Sequence, residues 1–254
     1  MGKCFVFVNQ KGGVGKTTSA INIGAYLAEA GKSVLLVDFD SQANLSSGVG
    51  IGEKNAKPGV YELISALAPL ETVIRPTPVR GLSVIPAGID LSGAAVELIE
   101  QEERDYFLKR ALGPAQKRFD FILIDCPPSL GVLTLNGIAA ADAVIIPMQC
   151  EYFAMEGLTH LLKTINRIQK SLNPNLGICG IFFTMYDSRT NLAQQVIKEV
   201  GAYFTSKVFT TIIPRNVRLS EAPSHGLPIS LYDPFCSGAK AYKSLAKEVL
   251  ERGC

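Results

Sequence analysis

Residues 11–18 read KGGVGKTT: two lysines five positions apart, three glycines between them and two threonines behind. Gly12, Gly13 and Gly15 can take φ > 0, so the backbone N–H groups of this stretch, Val14 included, can close around phosphate oxygens. A helix opening at Lys16 adds the partial positive charge of its N-terminus. Lys16 is spaced to reach the β- and γ-phosphates of a nucleoside triphosphate. Thr17 is placed to offer its hydroxyl to Mg2+, and Thr18 continues the same phosphate-facing turn. The strict pattern G-x-x-x-x-G-K-[ST] asks for glycine where Gln10 stands, so the box departs from it. Lys11 leaves the loop on its outer side, where a cation can contact phosphate across an interface.

Carboxylates follow two apolar runs, Asp38 and Asp40 after VLLV and Asp125 after FILI. Strand ends of this kind face the ligand crevice of an open α/β sheet. An acid after four apolar residues is the arrangement that holds Mg2+ directly or through water, which singles out Asp125. Asp38 supports the magnesium shell or serves as a turn or helix cap. Six cysteines are scattered without a C-x-x-C pair and there are only two histidines. That spacing argues against structural zinc, an iron–sulfur site and a disulfide framework. Cys126 beside Asp125 reads as a packing residue, and Cys254 as an exposed thiol without a role.

The elements that must carry these groups are short β-branched runs alternating with helical periods. Expected strands are 4–8, 33–37, 82–85, 119–124, 143–146, 178–184 and 207–213. Expected helices lie near 16–30, 91–111, 131–140, 155–172, 191–202 and 238–252, with 51–81 an irregular excursion. The pattern predicts an α/β fold, a mostly parallel twisted sheet with helices on both faces, in one domain spanning 1–254. At 254 residues and 47% hydrophobic the chain can bury a large core. No stretch approaches the ~20 uninterrupted apolar residues of a membrane helix, and a cytoplasmic location is expected. Net charge is only +2, but residues 187–254 hold nine Lys/Arg against six Asp/Glu, so the positive excess lies near the C-terminus.

KGGVGKTT resembles the deviant Walker A box of the ParA/MinD group of P-loop NTPases. VLLVDFDSQAN, FILIDCPPSLGVLTLNGIAAADAVIIPMQCEYFAMEGL, TMYDSRTNLAQQV and IPRNVRLSEAPSHGLPISLYDP are similar, in order, to its Soj-like partitioning branch, across residues 3–250. The resemblance implies an ATP hydrolase, slow and partner-stimulated, with ATP and Mg2+ as cofactors. It implies catalytic roles for Lys11, Lys16 and Asp40: Lys11 crossing a nucleotide-sandwich homodimer to the partner's ATP, Asp40 positioning the attacking water. Met185, Pro214 and Asn216 fall where the family places adenine, although a strand end and a turn account for them equally. Two positions depart from the family pattern, Ser41 where proline is common and Ala43 where glycine is common.

The same resemblance implies that the dimer binds non-specific double-stranded DNA on the nucleoid and is stimulated by a ParB-like protein. Arg189 and Arg218 are the carried-over DNA contacts, with Lys198, Lys240 and Lys243 as basic C-terminal candidates. Each of these lysines also fits an ordinary solvated helix face, the preferred reading of Lys247. The rival reading is a MinD-like membrane-cycling ATPase. The tail KAYKSLAKEVLERGC carries Glu248 and Glu251, which disfavours anionic lipid, and no membrane partner is expected. A small-molecule ligase is a further rival. No helix-turn-helix precedes Cys4, so a sequence-specific repressor is not expected.

Overall fold

The computed structural model describes residues 2–253, so Cys254, read above as an exposed thiol, lies outside the described residues. Seven strands, β1 (Lys3–Phe7), β2 (Val34–Asp38), β3 (Arg75–Pro76), β4 (Leu82–Ile85), β5 (Phe121–Asp125), β6 (Ala143–Gln149) and β7 (Gly177–Thr184), form one sheet in the order β3-β4-β2-β5-β1-β6-β7. All neighbours pair in parallel except β3, a two-residue antiparallel edge on β4. The strands read as unbroken apolar runs because both faces are covered. Cys4 and Val6 of β1 enter one buried layer, while Phe5 and Phe7 enter the other. β2 and β5 divide the same way, Leu35, Val37, Ile122 and Ile124 against Val34, Leu36, Phe121 and Leu123.

On one face lie α1 (Lys16–Glu29) and the short α2 (Asn44–Gly48). The excursion after α2 contributes α3 (Val60–Ile64) and α4 (Leu70–Val73) to the opposite face, followed by α5 (Leu91–Glu97). They are joined there by α6 (Phe107–Leu112), α7 (Val132–Ala140), α8 (Ala154–Ser171) and α9 (Asn191–Tyr203). The chain then returns through α10 (Val217–Glu221) and α11 (Ile229–Tyr232) to α12 (Ser237–Arg252), which packs on α1. Leu245 and Val249 of α12 are fully buried, each worth about 1.5–3 kcal/mol of burial. Tyr242 Oη lies 2.9 Å from Ser19 Oγ between the two helices.

Two expected elements differ. The single helix over 91–111 is broken: α5 runs into a 3-10 turn at Leu98–Glu100, and α6 starts only at Phe107. The expected strand at 207–213 meets the sheet only at its ends. Ile181 N donates to Lys207 O, and Phe209 N to Ile181 O; farther along, Ile213 N donates to Phe183 O. Between them Glu248 of α12 takes the Thr210 and Thr211 N–H groups at 2.8 Å each. A helix carboxylate thus replaces the ladder and bows the segment off β7.

Candidate functional site

β1 ends beside β5 on one side and β6 on the other, the position at which an open α/β sheet leaves a crevice past its strand ends. The loop from β1 to α1 fills it. Gly13 and Gly15 have φ of 72° and 86°, backbone that a Cβ would strain, and Gly15 leads directly into α1. Lys16 is 7% exposed and its Nζ donates to the Lys11 carbonyl at 3.4 Å, so the amine lies in the hollow of the loop. Burial lowers its pKa, and the carboxylates of Asp125 and Asp40 oppose that shift.

Thr17 Oγ1 donates to Asp125 Oδ2 at 2.6 Å. The other oxygen, Asp125 Oδ1, is buried with no hydrogen-bond partner. Burial, reinforced by Asp38, pushes the Asp125 carboxyl up to about 8. An unpaired carboxylate oxygen beside a threonine hydroxyl is a hard-oxygen pair that fits magnesium, whose shell is completed by phosphate and water. Among the described residues no group of three or more His, Cys, Asp or Glu gathers around a common point.

Asp38, paired in register with Asp125, faces its own loop. Its Oδ2 accepts from Ser46 N at 2.8 Å and Ser46 Oγ at 2.6 Å, while Oδ1 accepts from Asp40 N at 3.3 Å. Burial raises Asp38 to about 6 despite those donors. These bonds anchor the turn after β2 and fix where residues 40–46 leave the sheet. Asp40 Oδ1 accepts from Gln42 N at 3.1 Å. Asp40, Gln42, Asn44 and Pro128 close a cleft of about 660 Å³ over Gly12, Lys16, Thr17 and Thr18. Ala43, which stands where glycine is common, sits at φ 53° before α2, a left-handed alanine between two residues of the cleft wall.

A second cavity of about 260 Å³ adjoins the first and shares Gly15, Thr18 and Met185 with it. Met185, Pro214 and Asn216 all line it, so the three candidates for base contact are brought together. Met185 has φ 51°, and Gln149 Nε2 donates both to its sulfur at 2.9 Å and to Gly13 O at 3.0 Å. Asn216 is also a helix cap: its Oδ1 accepts from Arg218 N at 2.8 Å and its Nδ2 donates to Ser237 Oγ.

Lys11 lies away from that cleft. It is half exposed and ion-paired with Glu151, in the loop between β6 and α8. The sequence reading left Gln149 and Glu151 without a role, as it did Asn9 and Ser46. Polar residues immediately past the apolar run AVIIPM were the available signal, because that is where a parallel strand delivers side chains to the crevice.

The basic candidates are all exposed. Arg189 makes a two-pronged pair with Asp187 at 2.8 and 2.6 Å, which holds the Asp187 carboxyl well below the usual range. Arg218 pairs with Glu221 at 2.8 Å and Asp233 at 3.5 Å. Arg189 stands in the loop after β7 and Arg218 in the first turn of α10; the segments leading to them are joined where Tyr186 N donates to Ile213 O and Arg215 N donates to Tyr186 O. Lys198 lies on α9, which packs on α8, whereas Lys240 and Lys243 lie on α12, against α1 and α10. The fold thus divides the lysines between two regions.

Sheet order, phosphate loop and buried acid define a P-loop nucleotide-binding protein of the ParA/MinD kind. A family model described as an AAA domain matches residues 2–178. The chain is 63% identical over 252 residues to the chromosome-partitioning ATPase Soj of Treponema pallidum, covering 99% of this chain and 98% of that one. It is 54% identical over 253 residues to the sporulation initiation inhibitor protein Soj of Bacillus subtilis, covering 100% of both. The chain belongs to the Soj/ParA family. Among solved structures it superposes, at TM-score 0.85 and 38% identity, on cobyrinic acid a,c-diamide synthase of Mycobacterium smegmatis with bound ATP analog and magnesium, over 99% of this chain and 95% of that one. No helix among the described residues is long and apolar enough to cross a membrane.

Proposed function

We propose that this chain is a DNA-partitioning ATPase whose ATP-bound form is a nucleotide-sandwich dimer. The observation that carries the reading is the separation of the two lysines. Lys16 is buried in the phosphate loop and Lys11 is half exposed outside it, which supports Lys16 as the cation for the chain's own triphosphate. Lys11 then serves the nucleotide of a second copy. Names of the Soj relatives support a partitioning ATPase, and the ATP analog and magnesium bound by the structural neighbour support a nucleotide and Mg2+ in the cleft.

In this reading the backbone of Gly12–Gly15 and the Lys16 amine bind the phosphates, with Thr18 beside them. Met185, Pro214 and Asn216 bind the base. Thr17 and Asp125 hold Mg2+, which when bound neutralises charge developing on the phosphates. Asp40 orients water toward the γ-phosphate, and Asp38 steadies it by accepting from the Asp40 N–H while Ser46 holds the other carboxylate oxygen. Arg189 and Arg218 leave their carboxylate partners for the backbone of duplex DNA, aided by Lys198, Lys240 and Lys243. A ParB-like protein accelerates turnover and resets the dimer.

The deciding experiment measures phosphate release with ATP alone, then with arbitrary duplex DNA, then with a ParB-like protein from the same organism. A slow basal rate that rises only when DNA and partner are both present is expected. A rate unmoved by both contradicts partner control, and one that needs a small-molecule acceptor indicates a ligase.

A further inference from the structure

The end of β6 and the loop that follows it hold the phosphate loop from outside. Asn9 Nδ2 donates to Pro147 O at 2.8 Å, Lys11 N donates to Asn9 Oδ1 at 3.0 Å, and Gln149 Nε2 reaches Gly13 O. Beyond these bonds the Lys11 ammonium is ion-paired to Glu151. The pair stands at the mouth of a cavity of about 240 Å³ between the loop and α8, whose walls include Val14, Phe153 and Leu158.

We propose that Glu151 is a positioning residue that holds Lys11 on its own chain until a second nucleotide-loaded copy offers a phosphate. The proposal rests on the sandwich reading above and adds a threshold to it. Lys11 cannot satisfy Glu151 and a partner's phosphate in one position, so each dimer contact by Lys11 breaks one pair with Glu151. Both side chains are about half exposed, 52% and 54%, and a pair that wet shifts an equilibrium by no more than about fivefold. A triphosphate carries more charge than one carboxylate and displaces it, which suits a restraint that must release. Asn9 and Gln149 keep the phosphate loop joined to the end of β6 after Lys11 has left, so Glu151 restrains the lysine without being needed for loop shape.

Two measurements on wild type and Glu151→Gln test this. The first is the rate at which limiting acetic anhydride acylates Lys11 in the nucleotide-free chain, read by peptide mass spectrometry with Lys198 as internal reference. Faster acylation of Lys11 in Glu151→Gln is expected, with Glu151→Asp between the two; equal rates overturn the proposal. The second is ATP-dependent dimerisation by sedimentation velocity over a protein concentration series. The expected result is a dimer that forms at about two- to fivefold lower concentration in the variant. Unchanged or weaker dimerisation overturns the restraining role. Should wild type fail to dimerise with ATP at any concentration, the sandwich reading falls, and the acylation rates still decide whether Glu151 holds Lys11.

Discussion

Thr17 Oγ1 and Asp125 Oδ2 lie 2.6 Å apart, and this hydrogen bond ties the first turn of α1 to the end of β5. It leaves Asp125 Oδ1 buried and unpaired, and a buried acceptor without a donor is costly until a cation or a proton meets it.

The pH dependence of stability follows from that carboxyl. Asp125 is raised to about 8 and Asp38 to about 6, both from 3.8. The folded chain therefore holds protons that the unfolded chain has released, and their contribution to stability is complete below about pH 4. It is lost as pH rises through about 6 and then about 8. The nucleotide-free protein should melt at lower temperature at pH 8 than at pH 5. In Asp125→Asn the loss over the upper part of that range should shrink, as read by scanning calorimetry at both pH values. An identical pH profile in the variant contradicts the assignment.

Ala43 is held at φ 53°. A left-handed alanine costs about 1–2 kcal/mol, and replacing it by glycine gives back about 0.4–1 kcal/mol of that relief through the greater freedom of the unfolded chain. Ala43→Gly should gain roughly 0.5–1 kcal/mol, a rise of about 1–4 °C in Tm for a chain of this size. A lower Tm would show that the alanine side chain, not its backbone, decides this turn.

Glu248 accepts from Thr210 N, Thr211 N and Thr211 Oγ1, and these donors outweigh burial to lower its pKa. Glu248→Ala removes the acceptor of two backbone donors, one exposed and one half-buried, and should cost about 1 kcal/mol in urea denaturation. Because the same segment continues into Ile213 and Pro214 of the base cavity, nucleotide affinity should fall with it. Unaltered affinity in a destabilised variant would separate the segment from the site.

Arg189 and Arg218 are each engaged by carboxylates in the single chain. The double change Arg189→Ala, Arg218→Ala should abolish ATP-dependent binding to arbitrary duplex DNA. A single change should flatten the dependence of log affinity on log salt by roughly 0.9 for each DNA phosphate that the protein no longer neutralises. Equal binding and equal slope in a biosensor titration would move the DNA face elsewhere.

What could be read from the sequence was whatever is settled locally. Residues 11–18 carry their own loop geometry, and FILID carries its own strand and acid, so Lys16, Thr17 and Asp125 came together as expected. What escaped depends on partners far along the chain. The β-branched run VFTTII has every local mark of a strand, but Glu248, 38 residues past Thr210, takes its N–H groups. Asp38 fits a magnesium shell and a turn alike on sequence, and its bonds to Ser46 form only because α2 folds back. Glu151 meets Lys11 across 140 residues, a pairing that sheet order alone creates.

The central claim is that Lys11 acts on a nucleotide held by another copy, and mixing two inactive variants tests it most directly. Lys11→Ala lacks the crossing cation and Asp40→Ala lacks the water-orienting acid, so each alone should release almost no phosphate. In a mixed dimer the Lys11→Ala copy keeps its own Asp40 and receives Lys11 from its neighbour. With random pairing, an equimolar mixture should recover up to about a quarter of the wild-type partner-stimulated rate, since half the dimers are mixed and each has one complete site. No recovery, with mixed dimers demonstrated by sedimentation, would place Lys11 on its own chain's nucleotide and contradict the account.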